Sequence, residues 1–207
     1  IARDAGDVMV LEILADTGLR PKVFIATKLE RYRPGGEEAE ARECLQRLKT
    51  TKLDVLQLHN VRDPNQSLAG LNALKSQGLC RYNGITTTSE GAYDATEAII
   101  RREKPDFFQV DYSLADRGAA KRLLPAARDA GAAVLTALPF GRSSVFSAVR
   151  GKSVPEWARE FDATTWPQFF LKFLLGNEAV TAVIPGTTNP LHLADNISAG
   201  RGRFPDA

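Results

Sequence analysis

Apolar and β-branched residues gather in six short runs, at Val23–Thr27, Leu53–Leu58, Tyr82–Thr87, Phe107–Tyr112, Ala133–Leu138 and Val180–Ile184. Their starts are 30, 29, 25, 26 and 47 residues apart. Runs this short, with little polar alternation, fit strands that are covered on both faces. Four segments between them repeat apolar residues at helical spacing. Glu37–Lys49 places Ala41, Cys44, Leu45 and Leu48 on one side, and Ser67–Gln77 does the same with Leu68, Leu71 and Leu74. Ser89–Arg101 follows with Ala92, Ala95 and Ile99, and Arg117–Ala130 with Ala120, Leu123, Leu124 and Ala127. Residues 4–17 also read as a helix, with no strand before it. Strand and helix in alternation predict an α/β fold with a parallel sheet. The even unit suits a (β/α)8 barrel better than a solenoid, because no short motif repeats. A doubly wound open sheet is the structural rival.

Punctuation agrees with this reading. Gly18, Gly78 and Gly131 each close a helical segment shortly before a strand, where a left-handed residue ends the helix. Pro105 follows a charged helix end, and Ser67 and Ser89 are candidate N-caps. The longest irregular stretch, 141–165, follows a strand directly. In a single barrel domain it becomes a long loop over the mouth. An eight-stranded barrel needs two more strands than are present, about 50 to 60 residues' worth of β/α units. The sequence therefore reads as about six units of a barrel whose N-terminal part lies outside it.

Composition changes this picture little. The 207 residues are 43% apolar and 25% charged, which excludes disordered and fibrous classes. A formal charge of +2 gives no electrostatic case for nucleic acid. No apolar run approaches the length of a membrane-spanning helix, and the start has no signal-peptide core. Two cysteines, Cys44 and Cys80, make no disulfide framework, so a reducing, cytoplasmic setting is expected. The sequence indicates no oligomeric state.

Chemistry in a barrel sits at the C-terminal ends of its strands. Lys28 closes the first run and His59 the second, while Gln109, Asp111 and Tyr112 lie in or beside the fourth. A lone lysine at a strand end is usually a solvated edge device, and a lone histidine often only bonds a loop carbonyl. Both on adjacent strands, facing one mouth, point to a site. Cys44 on a helix and Cys80 at a strand start are poorly placed to join the histidines, so no metal is expected. No glycine-rich dinucleotide or nucleotide-phosphate motif occurs. Near the C-terminus, a strand runs through Ile184, Pro185, Gly186, Thr187, Thr188, Asn189 and Pro190 into a helix containing His192, Asp195 and Asn196. The start of that helix is a candidate phosphate site or merely a helix start.

Together Val23–Lys28, Leu53–Asn60, Leu74–Thr87, Asp106–Leu114, Val134–Gly141 and Ala179–Asn196 resemble the aldo/keto reductase family, in family order. The resemblance implies a (β/α)8 barrel that binds NADP or NAD and reduces a small-molecule aldehyde or ketone to an alcohol. Of the family's Asp, Tyr, Lys and His, it assigns the last two to Lys28 and His59. By spacing, the Tyr falls near Arg3, and Tyr32 comes after Lys28, so neither supplies it. The Asp belongs upstream of the Tyr. If the proton donor is internal, Tyr112 and Tyr82 are the suspects. Without one, Lys28 and His59 can polarise a carbonyl but not protonate it, and poor turnover is expected.

For the cofactor, the resemblance assigns Gln109 to the nicotinamide carboxamide and aligns the family's Ser-Asn pair with Thr86 and Thr87. The stacking aromatic aligns with Ala137, and the 2′-phosphate ligands align with Gly186 and His192. Thr187, Thr188, Asp195 and Asn196 complete the candidate contacts. Two alternatives accompany this reading. One is a barrel that lost its proton donor and serves as a small-molecule or protein-binding module. The other is a lyase or epimerase using Lys28 as base.

Overall fold

The computed structural model describes residues 18–30 and 33–206. The helix expected over 4–17 and Tyr32 lie outside them. Six strands are present: β1 Ala26–Leu29, β2 Leu53–Leu58, β3 Cys80–Thr87, β4 Phe107–Asp111, β5 Ala133–Ala137 and β6 Val180–Val183. They form one sheet in chain order. Every neighbouring pair is parallel. Seven α-helices accompany them among the described residues: α1 Glu37–Arg47, α2 Ala69–Ser76, α3 Tyr93–Glu103, α4 Leu123–Asp129, α5 Ser144–Ala148, α6 Trp166–Leu175 and α7 Pro190–Ser198.

Alternation along the strands sorts side chains onto two faces. Leu29, Leu58, Ile85, Phe108 and Val134 are successive register partners. All five belong to the buried core between sheet and helices. The opposite face carries the row Lys28, Gln57, Gly84, Phe107 and Ala133. That face is concave. Phe24, just before β1, meets Phe107 of β4 with ring centroids 5.8 Å apart, and both touch Tyr82. In a flat sheet three strand spacings of about 4.8 Å separate such residues. Gly84 allows the close approach on this face. A Cβ there would stand 2.6 Å from the Phe107 carbonyl oxygen and 3.0 Å from Gln57 Cγ.

Several boundaries differ from the sequence expectation. The first strand is displaced to Ala26–Leu29, so Lys28 lies inside it. Pairing starts where the Ile25 carbonyl accepts from Asp54 and Val55, and it runs on until Leu29 accepts from His59. The helix expected over Arg117–Ala130 is broken into a 3-10 turn at Gly118–Lys121 and α4. Pro125 causes the break, because it has no N–H to give to the carbonyl four residues back. The stretch 141–165 is not a plain loop. It holds 3-10 turns at Gly141–Ser143 and Glu156–Phe161, with α5 between them. Ser89 does not cap through its side chain. Ser67 accepts from the Ala69 N–H at 3.1 Å, one residue ahead of the Leu68 N-cap. Gly18, Gly78 and Gly131 do have positive φ, at 66°, 77° and 76°. Cys44 and Cys80 are free, buried thiols.

Candidate active site

The concave face carries a second row nearer the strand ends: Thr86, Gln109, Leu135 and Ala182. Carrying the register one residue past Leu29 and Leu58 adds Glu30 and His59 to it. Lys28 stands one row below. It is half-buried, and burial pulls its ammonium below the usual lysine range, with the Glu30 carboxylate acting the other way.

His59 is held from both sides. Its Nδ1 lies 3.0 Å from Glu30 Oε2. Its Nε2 lies 3.2 Å from Asn60 Nδ2. Thr88 Oγ1 donates to Asn60 Oδ1 at 3.2 Å, and the Asn60 N–H donates to Thr86 Oγ1 at 2.8 Å. Asn60 folds back onto its neighbour because its φ is +51°, a left-handed conformation that asparagine tolerates. Glu30, Asn60 and Thr88 were not singled out in the sequence. The available signal was position alone: Glu30 is two residues after Lys28 on the same face, and Asn60 directly follows His59.

Gln109 is only 9% exposed, and its side-chain amide has no hydrogen-bond partner among the described residues. Two residues on, Asp111 has a buried carboxylate oxygen, Oδ1, that is also unpartnered. Burial pushes this carboxyl above its usual range, Arg142 opposes the shift and Asp116 adds to it. Asp111, Ser113, Asp116, Gly141, Arg142 and Ser144 help line a cavity of about 220 Å³ where β4 and β5 end. Three non-glycine residues around it, Leu138, Arg142 and Ser143, have positive φ. Thr87 is placed differently from Thr86. It pairs with Val110 on the helix-facing side and is 1% exposed.

At the C-terminal end the candidate residues diverge. Gly186, Thr187, Thr188 and His192 are exposed. Thr187 Oγ1 accepts from the Asn189 N–H at 3.1 Å. At the start of α7, Pro190 has no N–H, and Asn189 Oδ1 accepts from the Leu191 N–H at 2.9 Å. Fewer N–H groups remain for a phosphate than the sequence suggested. Asp195 is bound to α6, accepting from Thr165 Oγ1 at 2.8 Å and from Gln168 Nε2 at 2.6 Å. Asn196 is buried, in an apolar groove that Leu171, Val183 and Ile197 also line.

The aldo/keto reductase family model matches residues 7–207. The chain belongs to the aldo/keto reductase family. Solved structures with the same fold include aldo-keto reductase AKR11C1 from Bacillus halodurans in its holo form. It shares 23% identity at a TM-score of 0.71, over 93% of this chain and 70% of that one. An aldo-keto reductase from Klebsiella pneumoniae in complex with NADPH gives 22% and 0.74 over 93% and 70%. The thermostable aldo-keto reductase Tm1743, in complex with the inhibitor epalrestat, gives 22% and 0.74 over 93% and 71%. The fold is thus the barrel of this family in part. No curated protein matches the chain.

Within the aldo/keto reductase frame, the described tyrosines are all engaged away from Lys28. Tyr112 is buried among core residues and packs on Phe173 at 6.3 Å. Tyr82 stacks in the aromatic group near the strand starts, with the Arg81 guanidinium 5.2 Å from its ring centroid. The Tyr93 phenol is pushed up to about 12 by burial and by the carboxylates of Asp116, Glu90 and Asp111, the wrong direction for a proton donor.

Proposed function

We propose that this chain acts as an NAD(P)H-dependent oxidoreductase, reducing a small aldehyde or ketone to an alcohol. The observation that carries the reading is the Gln109 amide, nearly buried and without a hydrogen-bond partner among the described residues, in the same concave row as His59. Such an amide fits a carboxamide, since both groups then satisfy a donor and an acceptor. Gln109 and Thr86 would hold the nicotinamide end, and Thr187, Thr188 and His192 would meet the phosphate end. A bound nicotinamide supplies the hydride. Lys28 and His59 would polarise the carbonyl oxygen, and residues 141–165 would cover the mouth, a reading that the place of Gly141, Arg142 and Ser144 beside Asp111 supports.

Fluorescence titration of NADPH and NADH tests the placement. Gln109→Ala weakens binding about tenfold, the worth of a hydrogen-bond pair. Unchanged affinity in a protein that does bind the dinucleotide removes Gln109 from the site. A second reading, a binding module on the same barrel, draws support from Ala137 at the stacking position and from the capped start of α7. Dinucleotide binding without consumption of NADPH over a panel of small aldehydes favours it.

A further inference from the structure

The segment between β2 and α2 is braced along most of its backbone. Val61 is 0% exposed, and its N–H donates to the Thr86 carbonyl at 2.9 Å. Gln66 is buried, and its Oε1 accepts from the N–H groups of Arg62 and Asp63 at 2.8 and 3.0 Å. The Gln66 N–H donates back to the Asp63 carbonyl at 3.0 Å. From α3, the Arg102 guanidinium donates to the carbonyls of Pro64 and Gln66, both at 2.6 Å. Glu103 holds Arg102 at 2.8 Å and accepts from the Leu68 N–H at 3.3 Å. Connecting segments are ordinarily among the more mobile parts of a fold. This one is fixed from two sides, directly after His59.

The acidic groups near it are engaged. Asp63 Oδ1 accepts from the N–H and the side-chain amide of Asn65 at 2.9 and 3.0 Å. Glu30 faces His59 at 3.0 Å. Arg62 differs: it is exposed, and its guanidinium has neither a hydrogen bond nor an ion pair among the described residues. At most about 11 Å of chain separates its Cα from that of His59. A guanidinium offers two parallel N–H donors that match the two oxygens of a carboxylate. A fixed backbone also lowers the entropy lost when such a side chain closes on a ligand.

We propose that Arg62 is a specificity-determining residue, and that the substrate is a carbonyl compound bearing a carboxylate. The carbonyl oxygen lies at Lys28 and His59, and the carboxylate lies on the Arg62 guanidinium. This rests on the oxidoreductase reading above and narrows its substrate class. The orientation follows from charge. Glu30 disfavours a second anion beside His59, so the acid end turns to Arg62. The carboxylate takes no part in hydride or proton transfer, and Arg62 acts by selecting and orienting the molecule that enters.

Two aldehydes of similar shape and different charge, 4-carboxybenzaldehyde and 4-methylbenzaldehyde, test this. Titrated without dinucleotide and followed by ligand-observed NMR, the acid binds about tenfold more tightly, the worth of a charged hydrogen bond. Arg62→Met, similar in length and uncharged, removes the preference, and Arg62→Glu reverses it. Arg62→Lys, a point charge without the fork, keeps part of it. In turnover at saturating NADPH, the ratio of KM values for the two aldehydes follows the same series. Equal affinities in the unmutated protein, or a preference that survives Arg62→Met, overturn the proposal. If neither aldehyde supports consumption of NADPH, the oxidoreductase reading fails, and the binding series still decides whether Arg62 holds a carboxylate.

Discussion

The ends of β1 and β2 and the region around α6 and α7 both carry polar residues that the family resemblance marks, and they use them in opposite ways. At the first, Glu30, His59, Asn60, Thr86 and Thr88 bond to one another across strands while remaining on the concave face. At the second, polar groups join helix to helix and helix to tail. Asp195 binds Thr165 and Gln168, and Lys172 on α6 donates to the carbonyls of Arg201 and Arg203 at 2.5 and 2.8 Å. A residue type matched to a family role is available for chemistry only where the backbone leaves it facing the ligand side. Where a helix packs over it, it becomes a tie.

The largest expected effect falls on the second region. Lys172 is 0% exposed, and its ammonium also lies 4.7 Å from the Phe204 ring centroid. Lys172→Ala leaves two carbonyls without their donor and lowers stability by about 2–4 kcal/mol, read as a fall in the urea midpoint. A midpoint shift of less than about 0.5 kcal/mol would show that the tail is not tied there. Next comes Asp195→Ala. It lowers stability by about 1–2 kcal/mol through the lost bonds to Thr165 and Gln168, with NADPH affinity within about twofold of the parent. A large loss of affinity with an unmoved midpoint breaks the comparison and returns Asp195 to the ligand site. The smallest effect is acid dependence. The Arg203 guanidinium and backbone N–H hold the Asp162 carboxyl at about 2, below its ordinary 3.8. A depressed carboxyl stabilises the fold above its unfolded value and loses that contribution as pH falls through the folded one. The midpoint of the native protein therefore drops more than that of Arg203→Ala between pH 3.8 and 2. Parallel curves refute the tie.

The sequence reads best where burial alone decides structure. β2 and β5 lie where runs of apolar residues predict them, because a strand covered on both faces must be apolar at nearly every position. The first strand is displaced because Lys28 looks like an end, yet Leu29 beyond it is 1% exposed and packs into the core. Lys28 and His59 are legible because they terminate apolar runs. Glu30 and Asn60 are not, since a charged or amide residue just past a strand is ordinary and only the left-handed turn at Asn60 brings it onto His59. The fates of Thr87 and Asp195 depend on strand alternation and on helix docking, which residue type does not reveal.

Thr86 belongs to both halves of the proposed site. Its hydroxyl accepts the Asn60 N–H, and its backbone position pairs with Gln109. A ligand held by Gln109 and a group meeting His59 would therefore both bear on one shared threonine. Any coupling between the two would be reciprocal: whatever dinucleotide binding contributed to ordering Asn60, an ordered Asn60 would return to dinucleotide affinity. Such coupling between adjoining groups is commonly about 0.5–3 kcal/mol, enough to make the two halves of the site respond as one unit.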